Sequence, residues 1–273
     1  MTAPLLTVRG LTKRFGGLSA VTDLDFEVMP GEILGVIGPN GAGKSTTFNM
    51  VAGAYAPSSG TISFAAERID GLAPHHIAKR GVMRTFQHNR PFPGMSVREN
   101  VMVGMHTRFD ASLWQVLAAT RHAAQAERAA AERADELIDF VGLREFRAVD
   151  VTTLSFGQGR LLEIARALAG DPRLLLFDEP AAGLTPAECD RLVEIISSIA
   201  ARGIAVLLIE HDMRFLLAIA QRVIVLNFGR KIAQGDPHQV RNDPAVIEAY
   251  LGNTMPDVAN GAAASPQDGT AHA

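Results

Sequence analysis

The sequence predicts an α/β fold: a core with a mixed sheet, an N-terminal antiparallel β subdomain and an inserted α-helical subdomain. Three observations predict it. Within the first 35 residues, LLTVRGL and DLDFEV alternate apolar and polar side chains with period two, as half-buried strands do. Residues 112–140 form one long stretch rich in Ala, Glu and Arg, with helical character. After Leu161 helices and strands alternate again, so the helical block lies inside an α/β chain.

Each element has its own signal. EILGVIG, Glu32 to Gly38, is a dense apolar strand that runs directly into GPNGAGKST. From Lys44 to about Ala52 no residue breaks a helix, and Gly53 closes it. TISFAAERI is a second extended piece after the turn-like PSSG, and residues 91–110 read as turns with short apolar bits. At the end of the helical stretch Leu137, Ile138, Phe140 and Val141 give an apolar face, while pairs such as Arg128/Glu132 mark a solvated middle. The later part reads as a helix LLEIARALAG, a strand RLLLFDEP, a helix from Pro186 to Arg202, a strand IAVLLIEH and a helix DMRFLLAIAQR. A hairpin turning near Asn227–Gly229 and two short helical pieces, PHQVRN and DPAVIEAYLG, follow. The expected organisation is one domain over residues 1–253, with its core at about 5–87 and 160–253 and the helical subdomain at 88–159. Residues 254–273, poor in large apolar side chains, are expected to be a disordered tail.

Composition narrows the function classes. The 273 residues carry 26 Lys and Arg against 29 Asp and Glu, a net charge of −3, which argues against a general nucleic-acid binder. The single cysteine, Cys189, excludes an internal disulfide and reads as a small apolar residue on a helix. The densest apolar run, residues 204–209, has the length of a strand, and the N-terminus lacks an export signal. These features predict a cytosolic chain, with any membrane crossing left to another polypeptide.

The strongest chemical signal is Gly38-Pro39-Asn40-Gly41-Ala42-Gly43-Lys44-Ser45, which completes the G-x-x-x-x-G-K-[ST] pattern between a strand and a helix. Glycines let successive backbone N–H groups turn toward phosphate oxygens, and the helix start adds its positive end. Lys44 would meet the β- and γ-phosphates, the Ser45 hydroxyl could ligate Mg²⁺, and Thr46 completes the segment expected to grip a triphosphate. RLLLFDEP then places Asp178 at a strand's carboxyl end as the metal carboxylate, with Glu179 aimed differently to polarise a water for in-line attack. Adjacent acids after an apolar strand are common in loops; beside a complete phosphate loop they gain weight. His211 ends a third apolar strand, where a lone histidine is more often structural, and a γ-phosphate contact is the functional alternative.

LSFGQ, Leu154 to Gln158, set before RLLLFDEP and opening a helix, resembles the signature motif of the ABC (ATP-binding cassette) ATPases. The resemblance spans about residues 5–252 and implies a P-loop ATPase core that binds ATP and Mg²⁺. It implies that Phe15 in KRFGG stacks on adenine and that Gln87 in RTFQ reaches the metal and γ-phosphate. Glu179 then corresponds to the catalytic base and His211 to the switch histidine. It also implies that Ser155, Gly157 and Gln158 serve the nucleotide of a second ATPase subunit, an identical copy or a homologous sister, so that ATP joins the two. The insertion at 104–140, the segments LSFGQGRLLEIARAL and EPAAGLTP, and the ending RNDPAVIEAYLG look like the LivG-type branch, which energises branched-chain amino acid uptake.

From that resemblance the chain is expected to sit peripherally at the cytoplasmic face of a membrane. Its expected partners are permease subunits and, indirectly, a substrate-binding protein; Gln87 and residues 88–95, with two prolines and apolar side chains, are the candidate coupling surface, and an ordinary turn-rich linker is the alternative reading of that segment. Two positions depart from the common pattern: Gly159 replaces a second glutamine, and Thr185 stands where many members carry Asp. The alternative, a soluble ABC ATPase acting on nucleic acid or ribosomes, fits less well with one cassette, no basic run in the tail and net negative charge.

Overall fold

The computed structural model describes residues 3–85, 91–105 and 121–251. Two sheets organise it. The first is antiparallel and four-stranded, in the order β2-β1-β4-β5, from β1 (Leu6–Phe15), β2 (Leu18–Val28), β4 (Ser59–Phe64) and β5 (Glu67–Arg68). The second has six strands: β3 (Ile33–Ile37), β6 (Val82–Arg84), β7 (Leu174–Asp178), β8 (Ala205–Ile209), β9 (Arg222–Asn227) and β10 (Arg230–Gly235). Their order is β10-β9-β3-β8-β7-β6, and only the β9–β10 pair is antiparallel, so the expected mixed sheet is present.

The period-two rule explains how this sheet is buried on both faces. Leu174 and Leu176 of β7 join one core with Leu207 of β8 and the antiparallel sheet's Leu6, Val8 and Phe26. Leu175 and Phe177 point the other way, into a second core built with helices. The first core also takes Phe48, Met50 and Val51 from α1 (Lys44–Val51), which fastens the helix after the glycine-rich segment beneath the antiparallel sheet.

The helical side contains α3 (Val97–Gly104), α4 (Arg121–Val141) and α5 (Phe156–Ala169), with α2 (Pro74–Lys79) elsewhere beside β6. Helix α4, described from Arg121, lies within the expected 112–140 stretch but for its last residue and ends on its apolar face: Leu137, Ile138 and Val141 are buried, and Phe140 packs at the edge. Helix α3 departs from the sequence expectation of turns over 91–110. Ser96 caps it and Glu99 returns the bond to the Ser96 N–H, so the S-x-x-E spacing was the available signal. Arg98 of α3 binds Asp135 of α4 through two hydrogen bonds of 2.8 Å. Helix α5 is continuous across residues 159 and 160, linking the helical side to the sheet.

Then come α6 (Pro186–Ala201), α7 (Met213–Ile219), α8 (Pro237–Arg241) and α9 (Pro244–Leu251). The Cys189 expectation holds: it is half-buried on α6 and packs against the second core. Gln87, residues 88–90, most of the insertion before Arg121 and the expected tail lie outside the described residues.

Ile138 has no exposed surface. Ile138→Ala should therefore lower unfolding stability by about 2–5 kcal/mol in urea titrations; a loss below about 1 kcal/mol would show that α4 is not firmly docked.

Candidate functional site

Strand order builds the site. Because β8 lies between β3 and β7, the segments after all three leave the same edge of the sheet side by side. They carry the glycine-rich loop, Glu210-His211 and Asp178-Glu179.

Two of the loop's glycines, Gly38 and Gly43, are required by close approach. A Cβ on Gly38 would lie 2.1 Å from the Leu226 carbonyl oxygen, and one on Gly43 2.5 Å from that of Ala20. Gly38 and Pro39 are buried, whereas Asn40 and Gly41 form an exposed crest; Ala42 is buried again. Helix α1 opens at Lys44 with Gly43 as its N-cap and no side-chain cap among the described residues, so its first N–H groups face the loop's concavity. The Lys44 ammonium donates to the carbonyls of Gly38 (2.7 Å) and Pro39 (3.0 Å). Burial pushes its pKa down, opposed by the charges of Glu179 and Asp178. Ser45 is exposed at the helix start and Thr46 half-buried behind it.

Asp178 ends β7 with only 2% of its surface exposed. Its Oδ2 accepts from Arg84 Nη2 at 2.8 Å, while Oδ1 is buried with no partner among the described residues. Burial raises its pKa against the pull of Arg84. Glu179 takes a left-handed backbone, φ 50°, held by its N–H on the Ile209 carbonyl at 3.0 Å. That conformation costs a non-glycine residue about 1–2 kcal/mol and turns the Glu179 side chain away from Asp178's buried setting. His211 Nδ1 stands 3.9 Å from Glu179 Oε1, beyond hydrogen-bond distance, so the two groups adjoin one space without being locked together.

Glu210, which the sequence reading passed over, ties two of these loops. One carboxylate oxygen accepts from the Ala181 N–H at 2.9 Å and the other from the His211 N–H at 3.2 Å. An acid ending an apolar strand run was the only signal. Tyr55 was missed as well: its ring meets Phe15 edge-on at 5.5 Å, both rings are exposed, and Lys13 Nζ lies 5.1 Å from the Phe15 centroid. No sequence periodicity links residues 15 and 55.

Ser155 sits apart from the phosphate loop. It caps α5: Ser155 Oγ accepts from the Gln158 N–H at 3.2 Å, and Gln158 Oε1 accepts from the Ser155 N–H at 2.9 Å. A cavity of about 290 Å³ lined by Ser155, Gly157, Gln158, Glu188 and neighbours includes no residue of 38–46. Thr185, at the departure noted in the sequence, caps α6 through a matching box with Glu188. At Gly159 the backbone is buried in α5.

A phosphate-cradling loop, a buried carboxylate and a second acid on adjoining strand ends define a P-loop ATPase. Residues 21–182 match the ABC transporter family, and residues 230–254 match the branched-chain amino acid ATP-binding cassette transporter family. Over 253 residues the chain is 44% identical to the high-affinity branched-chain amino acid transport ATP-binding protein LivG of Escherichia coli K12, covering 92% of this chain and 99% of LivG. BraF of Pseudomonas aeruginosa, described as a protein of the same transport activity, gives the same identity and coverage. Among solved structures, the ADP conformation of MJ1267, an ATP-binding cassette of an ABC transporter, matches with a TM-score of 0.80 at 29% identity, over 92% of this chain and all of that one. The chain belongs to the ABC transporter family as an ATP-binding subunit.

Burial raises the Glu210 pKa, outweighing its bonds to Ala181 and His211. The folded state thus holds this proton more tightly than the unfolded chain, and stability is lost as pH rises from the ordinary carboxylate range through the raised value. Glu210→Gln should remove that loss, so its stability relative to the parent should increase in urea titrations as pH rises from the ordinary carboxylate range through the raised value. Parallel curves would show that Glu210 ionises without cost.

Proposed function

We propose that this chain is the ATP-hydrolysing, energy-coupling subunit of an importer for branched-chain or related amino acids. The observation that carries this reading is its 44% identity over 99% of LivG, with the separate match of residues 230–254 to the branched-chain family. ATP binding closes a pair of ATPase subunits, and that motion drives a membrane permease supplied by a separate binding protein. The chain would act from the cytoplasmic face; among the described residues no helix is long and apolar enough to cross a membrane.

In this reading the domain comprises residues 1–253, and each site residue has one task. Phe15 offers its exposed ring to adenine. Residues 38–46 hold the phosphates through backbone N–H groups, and Lys44 exchanges its two loop carbonyls for β- and γ-phosphate oxygens. The donor set suits Mg²⁺: hard oxygen donors from Ser45, Asp178 and Gln87, with Asp178 Oδ1 buried and unpartnered among the described residues. When bound, the ion neutralises charge on the β- and γ-phosphates. Glu179 accepts the proton of the attacking water, and His211, oriented by the bond from its N–H to Glu210, contacts the γ-phosphate.

Ser155, Gly157 and Gln158 belong to the second subunit's nucleotide. Support comes from the cavity they line, which excludes the chain's own phosphate loop. Residues 88–95 form the permease-facing surface; within it Phe92 is exposed, and buried Asn100 holds its backbone through bonds of 2.8 and 3.2 Å.

Glu179→Gln should slow ATP hydrolysis by about 10²–10⁴-fold while ATP-bound dimers accumulate in size-exclusion chromatography. Lys44→Ala should instead weaken nucleotide binding itself. Normal turnover by Glu179→Gln would remove Glu179 as the base. Purifying the chain from membranes tests the wider reading: a co-isolated permease and amino acid-binding protein support it, and ATPase stimulated by RNA or DNA overturns it.

A further inference from the structure

Arg84 joins three parts of the site. It is the last residue of edge strand β6, paired in register with Leu176 of β7. Its guanidinium reaches Asp178 Oδ2 through Nη2 at 2.8 Å and Asn49 Oδ1 through Nη1 at 2.6 Å. Asn49 lies on α1, the helix that begins at Lys44. One planar cation therefore spans an edge strand, the carboxylate strand and the phosphate-loop helix.

We propose that Arg84 is a positioning residue for the metal-facing carboxylate: braced by Asn49, it pins Asp178 Oδ2 so that Oδ1 is held ready for Mg²⁺ bound with the nucleotide. The inference rests on the site reading above. Three observations carry it. The Asp178 side chain is 1% exposed, so its charge is stable there only with a fixed counter-ion, and Arg84 supplies it. The two oxygens are unequal, one bonded and the other buried without a partner among the described residues. A carboxylate with one oxygen fixed can no longer swing about its terminal torsion, which otherwise is broad. Finally, Arg84 is itself held at both ends. Beside it the Thr85 N–H donates to the Leu176 carbonyl at 3.0 Å, keeping the chain on β7. A fork with fixed geometry does this; a point charge does not.

The test compares binding of a non-hydrolysable ATP analogue in Mg²⁺ with binding in excess EDTA, by calorimetry, on the full chain. For the parent, Mg²⁺ should strengthen binding. In Arg84→Met the affinity in EDTA should stay within about twofold, whereas the Mg²⁺ concentration needed for half-maximal enhancement should rise about 10-fold or more. Arg84→Lys should recover only part of this, and Asn49→Ala should shift the Mg²⁺ requirement the same way by less. A merely structural ion pair would lower the melting temperature and leave the Mg²⁺ requirement unchanged, and that result overturns the proposal. So does a lowered Mg²⁺ requirement, which would make Arg84 a competitor of the metal. If Arg84→Met does not fold, an unchanged requirement in both Arg84→Lys and Asn49→Ala overturns it equally. A parent chain whose analogue binding ignores Mg²⁺ overturns the site reading and this role together, whereas failure of Arg84 alone leaves the parent's Mg²⁺ enhancement intact.

Discussion

With β8 hydrogen-bonded between β3 and β7, Ile209 is in register with Val36 on one side and Asp178 on the other. Parallel pairing gives the three strands a common direction, so the segments that follow them emerge together. The ladder even continues past the strand ends: the Glu179 N–H donates to Ile209, and the Glu210 N–H reaches the Val36 carbonyl at 3.4 Å. A slip of one residue in β7 would turn Asp178 to the opposite face and exchange Leu176 with Phe177 between the two cores. The apolar alternation that stabilises the sheet is therefore the same feature that aims the carboxylate.

That edge holds a concentration of charge that burial alone would disfavour. Lys44, Asp178 and Glu210 are all buried, and each is held by groups of the chain itself: loop carbonyls for Lys44, Arg84 for Asp178, and backbone N–H groups for Glu210. Such pairs contribute little net stability, because desolvation offsets most of the attraction. Their value lies in geometry fixed before any ligand arrives. Lys44 shows the principle in its simplest form, since the carbonyls of Gly38 and Pro39 hold its ammonium at the mouth of the glycine-rich loop.

The local parts of this arrangement were legible in the sequence, and the long-range parts were not. The glycine-rich loop, the apolar strands before it and before Asp178, and the hairpin near Asn227–Gly229 each depend on neighbours in the chain, so their residue types announce them. The Ser96/Glu99 spacing announced α3 too, but surrounding turn residues obscured it. Arg84, Asn49 and Tyr55 gave no comparable signal. Arg84 meets Asp178 across 94 positions and Tyr55 meets Phe15 across 40, and only the sheet order brings them together. Glu210 was passed over because the histidine after it drew the chemical interpretation, while its own work is to fix two loops.

The helix caps show why a departure from a family pattern can be structurally quiet. Asp and Thr both serve as N-caps, so Thr185 still accepts from the Glu188 N–H and its own N–H still donates to the Glu188 carboxylate, although it brings no charge. The neighbouring helix start packs against the same glutamate: a Cβ at Gly157 would lie 2.1 Å from Glu188 Oε1, and moving Glu188 would break its bonds to Thr185. Helices α5 and α6 thus present their N-termini as one unit, through two capping boxes and a glycine that lets them touch. Ser155 spends only an acceptor lone pair in this, because Gln158 donates to it. Its hydroxyl proton remains able to donate to an anion beyond the helix end. The residue that fixes the helix start in this way keeps a donor at the helix end, with no rearrangement of the cap.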